Sequence, residues 1–324
     1  MAKQPKNGAS GARPAAIDPA LAARICWYHF REGQTQQEVA DRVGLNRATV
    51  NRIINEARRA GHVRVTLDLP LAPCLEAENA LRERYGLKDA VVVPAPADED
   101  DVRRVVGLAA GQYVSGVLAP DAYLGLGWGA TIHAAAFTLI PREGARNTVV
   151  SLSGGLSQSG AINPYDIAAA FARVLGAGCY YMTAPLIAET ADARAAFADS
   201  APVRQVHAIA ERCQVALLSA VDLSPRTRIV DYGVLTRAQV ADLLRAGAVG
   251  NICDYYIDRT GAVIDHEINA RTLSVPFATL HRIPNVILAA GGAFKADIVR
   301  AALAAGLADA LITDEGCAAE LLQG

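Results

Sequence analysis

Two glycine-rich turns and one lysine carry the first chemistry in the 324-residue chain. In "GLGWGATI", Gly125, Gly127 and Gly129 fall within five residues and lead into Ala130 and Thr131. Glycines there let backbone N–H groups approach an anion at a helix start, and the Thr131 hydroxyl can donate as well. Gly125, Gly127 and Ala130 also stand in G-x-G-x-x-A order, the dinucleotide fingerprint. That reading needs an acid at the end of the next strand to hold a ribose. The next strand, "NTVVSLSGG", ends instead in Ser151, Ser153, Gly154 and Gly155, so no nicotinamide cofactor is expected. A tight strand-to-helix turn with no ligand is the plainer alternative. In "AAGGAFK", Lys295 follows Gly291-Gly292 at a helix start, and it is one of only four lysines among 31 basic residues. A cation at the positive end of a helix dipole is unfavourable unless an anion lies nearby. Lys295 is therefore a candidate phosphate or carboxylate ligand, weighed against a surface lysine.

Asn163 and Asp166 in "GAINPYDIA", with Asn251, Asp254 and Asp258 in "GNICDYYIDRTG", could hydrogen-bond hydroxyl groups. Asx residues also populate turns, so each has a structural alternative. No Ser-His-Asp or Cys-His order and no carboxylate pair at a catalytic spacing stands out. The six histidines are isolated, and the six cysteines lack C-x-x-C or Cys-His metal spacing. Reduced, buried cysteines and no metal site or cofactor are expected.

A different chemistry is concentrated near the N-terminal end. The fifteen residues from Asn46 hold Arg47, Arg52, Arg58 and Arg59 against the single acid Glu56. Arginine reads guanine in a bidentate fashion, asparagine reads adenine, and further arginines add sequence-independent attraction to phosphates. The elements that must position them are two short helices. Thr35 and Glu38 form a T-x-x-E capping box, with Gln36 opening the first helix, and Gly44 ends it. Asn46 caps a second helix with apolar residues at Val50, Ile53, Ile54 and Ala57. A small Ala40, a turn Gly44 and a branched Val50 fall where a helix-turn-helix needs them. At about 100° per residue the core stripe leaves Ala48, Arg52, Asn55 and Arg59 facing outward, Asn51 at the margin, and Arg47 and Thr49 at the tip. Duplex DNA is the expected partner; a solvated basic face on a helical hairpin is the alternative. Trp27, Tyr28 and Phe30 on a preceding helix, over about 19–32, are expected in the core. "HVRVTLDL", 62–69, reads as a short strand that could form a wing.

Charge divides the chain in the same place. Residues 1–68 hold eleven of the 31 basic and six of the 33 acidic residues, a net of +5, which leaves −7 on the remainder. A basic head on an acidic body fits a polyanion partner for the head alone. The expected organisation is a flexible tail over 1–16, a helix-turn-helix domain over 17–68 and a ligand-binding domain over 69–324. In the last, "DAVVVP", "AYLGL", "NTVVSL", "GCYYMTAP", "VALLSAV", "NVILAAGG" and "DALITD" alternate with helical stretches, the rhythm of an α/β fold with a mainly parallel sheet. No apolar run reaches a membrane span and no secretory leader is read, so a cytoplasmic protein is expected.

The head "EGQTQQEVADRVGLNRATVNRIINEAR", joined in order to "GLGWGATI", "SLSGG", "TAPLIA", "VGNICDYYIDRTGAVID", "LAAGGAFKADIVRAAL" and "LITDEGCAAELL", resembles the SorC family of bacterial sugar-responsive transcription regulators. The resemblance runs from about Asp18 to the end. It implies an effector domain like the sugar-phosphate isomerases, a homo-oligomer with a tetramer favoured, and an operator of a catabolic operon. It further implies a sugar, polyol or sugar-phosphate effector. With the loops above, it makes Gly127, Trp128, Gly129, Ala130, Thr131, Ser153, Gly154, Gly155, Asn163, Asp166, Asn251, Asp258 and Lys295 the candidate effector residues. Two departures stand out. Asn251 takes the place of an acid, and Ser153 that of a lysine able to form a Schiff base in some relatives, which leaves a reversible, hydrogen-bonded effector. The rival classes are an isomerase-like enzyme with an accessory DNA-binding head and a constitutive architectural DNA binder. The missing carboxylate base weighs against the first, and the ligand loops against the second.

Overall fold

The computed structural model describes residues 18–60, 62–63, 72–98, 101–142, 144–158 and 162–323. The tail expected over 1–16 and nearly all of the strand expected over 62–69 lie outside them. The chain divides into two compact units, Met1–Leu69 and Pro70–Gly324.

Among the described residues the first unit is built from three helices, α1 (Pro19–Phe30), α2 (Gln36–Val43) and α3 (Arg47–Arg59). The Thr35 backbone N–H donates to Glu38 Oε2 at 2.7 Å, and the Glu38 N–H donates to Thr35 Oγ1 at 3.3 Å, closing the capping box. Gly44 ends α2 at φ 69°, a conformation that a Cβ would strain. Asn46 Oδ1 accepts from the Thr49 N–H at 2.8 Å and starts α3. Ile25, Val39, Ala40, Val50, Ile53 and Ile54 close a small core where the three helices meet. Against expectation, Trp27 is 58% and Phe30 38% exposed. With Ile25 facing inward, residues 27 and 30 lie about 160° and 140° round the helix from it, whereas Tyr28 lies about 60° away and packs against the core.

The second unit runs α4 (Ala72–Tyr85), β1 (Asp89–Val93), α5 (Val102–Val117), β2 (Tyr123–Leu126), α6 (Ala130–Ala135), β3 (Thr148–Ser151), α7 (Pro164–Leu175) and β4 (Gly178–Tyr180). It continues with α8 (Ala191–Ala198), α9 (Ala201–Ala210), β5 (Val215–Leu218), β6 (Ala220–Asp222), α10 (Arg237–Arg245), β7 (Gly250–Ile252) and β8 (Tyr255–Ile257). It ends with α11 (Glu267–Arg271), α12 (Phe277–Leu280), β9 (Asn285–Ala289), a 3-10 turn (Ala293–Lys295), α13 (Ala296–Ala304), β10 (Ala310–Asp314) and α14 (Glu315–Gln323). Seven strands form one parallel sheet in the order β1-β10-β9-β5-β2-β3-β4. Its strands read as unbroken apolar runs because alternate residues enter different cores. Ala216 and Leu218 of β5 and Leu288 of β9 pack with Leu81 and Leu311, while Val215, Leu217 and Ile287 pack with Leu124, Phe171 and Ile312 on the other face.

The strand order also selects the place for a ligand. From β2 the chain moves outward through β3 to β4, then returns to β5 on the other side of β2 and moves through β9 to β10. The connections therefore part company between β2 and β5, and a crevice opens beyond their C-terminal ends. One expectation is corrected here. "VALLSAV" is not a single strand: β5 stops at Leu218, and Ala220–Asp222 begins a separate antiparallel sheet, β6-β7-β8. Within it, the segment that holds Asn251 and Asp254 is a hairpin. Ile252 pairs with Tyr255, so Cys253 and Asp254 alone make the turn, at φ 47° and 71°. Among the described residues, no helix is long and apolar enough to cross a membrane.

Candidate functional site

The first candidate surface is on the head. Arg47, Ala48, Asn51, Arg52, Arg58 and Arg59 of α3 are exposed, with Thr49 and Asn55 half-buried beside them. Thr35 and Asn46 are exposed too, their side chains engaged in starting the helices. Asn51 Oδ1 accepts from Gln36 Nε2 at 3.2 Å and from Asn55 Nδ2 at 3.0 Å. This small network joins the start of α2 to the outward side of α3, so all eleven residues singled out in the head lie on or bordering one polar surface. Arg52 pairs with Glu56 at 3.0 Å along the same helix. A basic helix face that a duplex groove could admit needs exposed guanidinium and amide groups in this arrangement.

The second is a small cleft in the body, beyond the ends of β2 and β5. It is lined by Trp128, Gly129, Ala130 and Thr131 from the β2–α6 turn, Ser219 to Asp222 from the β5–β6 passage, and Lys295. Arg103 of α5 and Arg228, Ile229 and Tyr232 complete the wall. Gly129 opens α6 at φ 106°, and Gly292 turns the chain towards Lys295 at φ 94°, conformations that L side chains rarely adopt. The second turn is held from below: Asp314 Oδ1, at the end of β10, accepts from the Gly292 N–H at 2.7 Å.

Lys295 is only 6% exposed, so it is not a surface lysine. Its one hydrogen bond among the described residues is to the Ala220 carbonyl, at 2.6 Å. An ammonium group carries three donors, so the pairing is incomplete. Burial pushes its pKa down to about 8; Asp222 pulls it the other way, and Arg103 adds to the fall. Among the described residues Asp222 is the one carboxylate lining the cleft, and its Oδ2 accepts from the Ser224 backbone N–H and hydroxyl. The cleft thus sets Lys295, Arg103 and Arg228, the last paired with Asp231 at 3.4 Å, against one committed carboxylate, an arrangement suited to holding an anion rather than to abstracting a proton.

The other sequence-predicted residues lie in different places. Gly127 abuts Leu217 and Leu218 of β5 just below the cleft. Ser153 is buried and donates to Asp254; Gly154 and Gly155 pack where a Cβ would strike the Pro185 backbone and the Tyr165 ring. Asn251 is buried in β7, paired across the hairpin with Tyr256. The structure does not bring Asn163, Asp166 or Asp258 to the cleft. Asn163 caps α7 through Oδ1 and donates to the Leu156 and Gln158 carbonyls. Asp166 is exposed in the first turn of α7. Asp258 Oδ1 accepts from the Thr260 hydroxyl and from the N–H groups of Thr260 and Ala262, which builds its own turn. Arg103, Asp222, Arg228 and Tyr232 went unread, because they stand on segments with no motif. The one available signal was the run of arginines in "SPRTR" immediately after a strand.

A family described as a putative sugar-binding domain matches residues 70–323, and a winged helix-turn-helix DNA-binding family matches residues 31–64. The erythritol catabolism regulatory protein EryD of Brucella abortus is 31% identical over 94% of this chain and 97% of its own length. The transcriptional regulator LsrR of Escherichia coli K12 is 31% identical over 93% of this chain and 94% of its own. The fold matches that of the full-length sorbitol operon regulator SorC from Klebsiella pneumoniae, with a TM-score of 0.74 and 22% identity, covering 95% of this chain and 99% of that one.

Proposed function

The chain belongs to the SorC family of transcription regulators, and from that membership we propose that a sugar, polyol or sugar-phosphate effector in the body's cleft sets the affinity of its head for the operator of a carbohydrate or polyol catabolic operon. The observation that carries this reading is Lys295, a buried ammonium with an unfilled hydrogen-bonding capacity, facing a cleft whose other charged walls are mostly arginine. An effector bearing a phosphate or carboxylate completes it, and the Trp128–Thr131 turn and Tyr232 supply surfaces for the carbon skeleton. A ligand that binds only the folded state raises its apparent stability. A thermal-shift screen over sugars, polyols and their phosphates should therefore single out one class, and that compound should change operator affinity in a binding titration. A screen in which every stabilising compound left operator binding untouched would overturn the reading.

The pH dependence follows from Lys295. A lysine is charged below its pKa, and an anionic effector favours the charged form, so affinity is full below about pH 8 and declines as pH rises through that value. The phosphate itself stays dianionic over this range, its second pKa being about 6. Calorimetric titrations at pH 7 and pH 9.5 are expected to show the loss in the parent and a much flatter profile in Lys295→Arg, whose side chain keeps its charge.

Assembly is part of the same reading. One head covers a short stretch of duplex, and such heads act on paired half-sites. The body is expected to join at least two chains, with a tetramer favoured. Light scattering at micromolar concentration, with and without operator DNA, should give a mass of two or more chains; a monomer in both would rule this out.

A further inference from the structure

Asp254 sits at a costly position twice over. It is 5% exposed, a buried carboxylate, and it occupies the left-handed region in a two-residue turn whose other member, Cys253, does the same. Such hairpin turns favour asparagine and glycine, because other L side chains meet steric resistance there. No cation pairs with it among the described residues. Burial pushes its carboxyl up, and hydrogen bonds from Ser153, Ser274 and Trp128 oppose the rise.

Those three donors explain what the position holds. Oδ1 accepts from the Trp128 indole Nε1–H at 2.6 Å. Oδ2 accepts from the Ser153 hydroxyl at 2.5 Å and from the Ser274 hydroxyl at 2.6 Å. Ser153 and Ser274 are themselves joined by an antiparallel bridge. One carboxylate thus ties the turn beyond β2, the chain beyond β3 and the segment before α12 to the β7–β8 turn. Through the small sheet it is also tied to β6, whose Ala220 carbonyl holds Lys295. Trp128 is fixed at both ends, since the Ser219 hydroxyl donates to its carbonyl at 2.9 Å.

We infer that Asp254 is a positioning residue for effector recognition: it makes no contact with the effector, and it clamps the Trp128 indole so that the wall of the cleft is set before the effector arrives. This rests on the cleft being the effector site. With every one of the three neutral donors spent on Asp254, its carboxylate is a fixture of the wall rather than a hydroxyl receptor. Loss of the clamp lets the indole choose other rotamers, and the effector must then fix it at the expense of its own binding.

The chain holds two tryptophans, so Trp27→Phe leaves Trp128 as the single emitter. In that background Asp254→Gly relieves the left-handed turn and removes the clamp, while Asp254→Asn keeps one acceptor oxygen. The expected results in Asp254→Gly are a red-shifted Trp128 emission and stronger acrylamide quenching, read well below a melting temperature that falls because three buried donors lose their acceptor. Inorganic phosphate, as a probe of the cleft, should bind roughly two- to thirtyfold more weakly. Asp254→Asn should fall between the two. Emission and quenching unchanged in both variants would overturn the inference, as would a loss of phosphate binding that merely tracks a loss of thermal stability. If phosphate failed to bind even the parent, the anion reading of the cleft would fall, while the quenching measurement would still decide whether Asp254 holds the indole.

Discussion

Lys295→Ala is expected to weaken an anionic effector by roughly ten- to a hundredfold, because a charge-assisted hydrogen bond contributes about 1.5–3 kcal/mol. The side chain is buried beside the one carbonyl that it contacts, so solvent screening does little to reduce this figure. Lys295→Gln should recover little, since it keeps a donor and loses the charge. Operator binding in the absence of effector should survive both changes, because the head has its own core. Removing a buried ammonium also removes a desolvation cost, so the alanine variant should melt no lower than the parent once the small cavity is allowed for. Calorimetry with the compound found in the screen decides the matter. Unchanged affinity would mean that the effector is a neutral polyol, or that it sits elsewhere.

Arg52→Ala should weaken specific operator binding by about 1–3 kcal/mol and relax base preference at one position of each half-site. Arg58→Ala should weaken all sequences alike and flatten the salt dependence. The ion pair that Arg52 makes with Glu56 adds a control. Exposed pairs of this kind are weak, so DNA can take the guanidinium away at little cost. Glu56→Gln removes both the competitor and a charge that repels phosphate, and it should raise affinity for every duplex. Anisotropy titrations on operator and scrambled DNA at two salt concentrations separate the three variants. An Arg52→Ala protein with the parent's base preference would show that the outward side of α3 is not the reading surface.

The head was legible because its signals are local. Thr35, Glu38, Gly44 and Asn46 act on neighbours within four residues, and Val50, Ile53, Ile54 and Ala57 fall on one stripe at helical spacing. The parallel sheet was legible for a different reason: strands buried on both faces read as unbroken apolar runs. The small sheet gave no such sign. Its strands are three residues long, and its hairpin turn is Cys253-Asp254 in place of a pair that advertises positive φ. The cleft was half-legible. Glycines and the rare lysine marked the β2–α6 turn and Lys295, whereas Arg103, Arg228 and Tyr232 are brought in by tertiary packing alone. Asn163 and Asp258 show the converse case, since short polar side chains at turns and helix starts spend themselves on the backbone that they help to shape.

The cleft draws on chain that lies past the last paired residues of β1, β2, β5 and β9, outside the register of the parallel sheet. For protein engineering, on the proposed reading, this sets the wall of the effector site apart from the paired strands of the parallel sheet. A library confined to Arg103, Ser219, Asp222, Arg228 and Tyr232 leaves the paired strands of the parallel sheet untouched, along with α3. Retargeting the regulator as a biosensor for another metabolite would then, on the proposed reading, be a problem of rewriting five wall positions around a retained lysine.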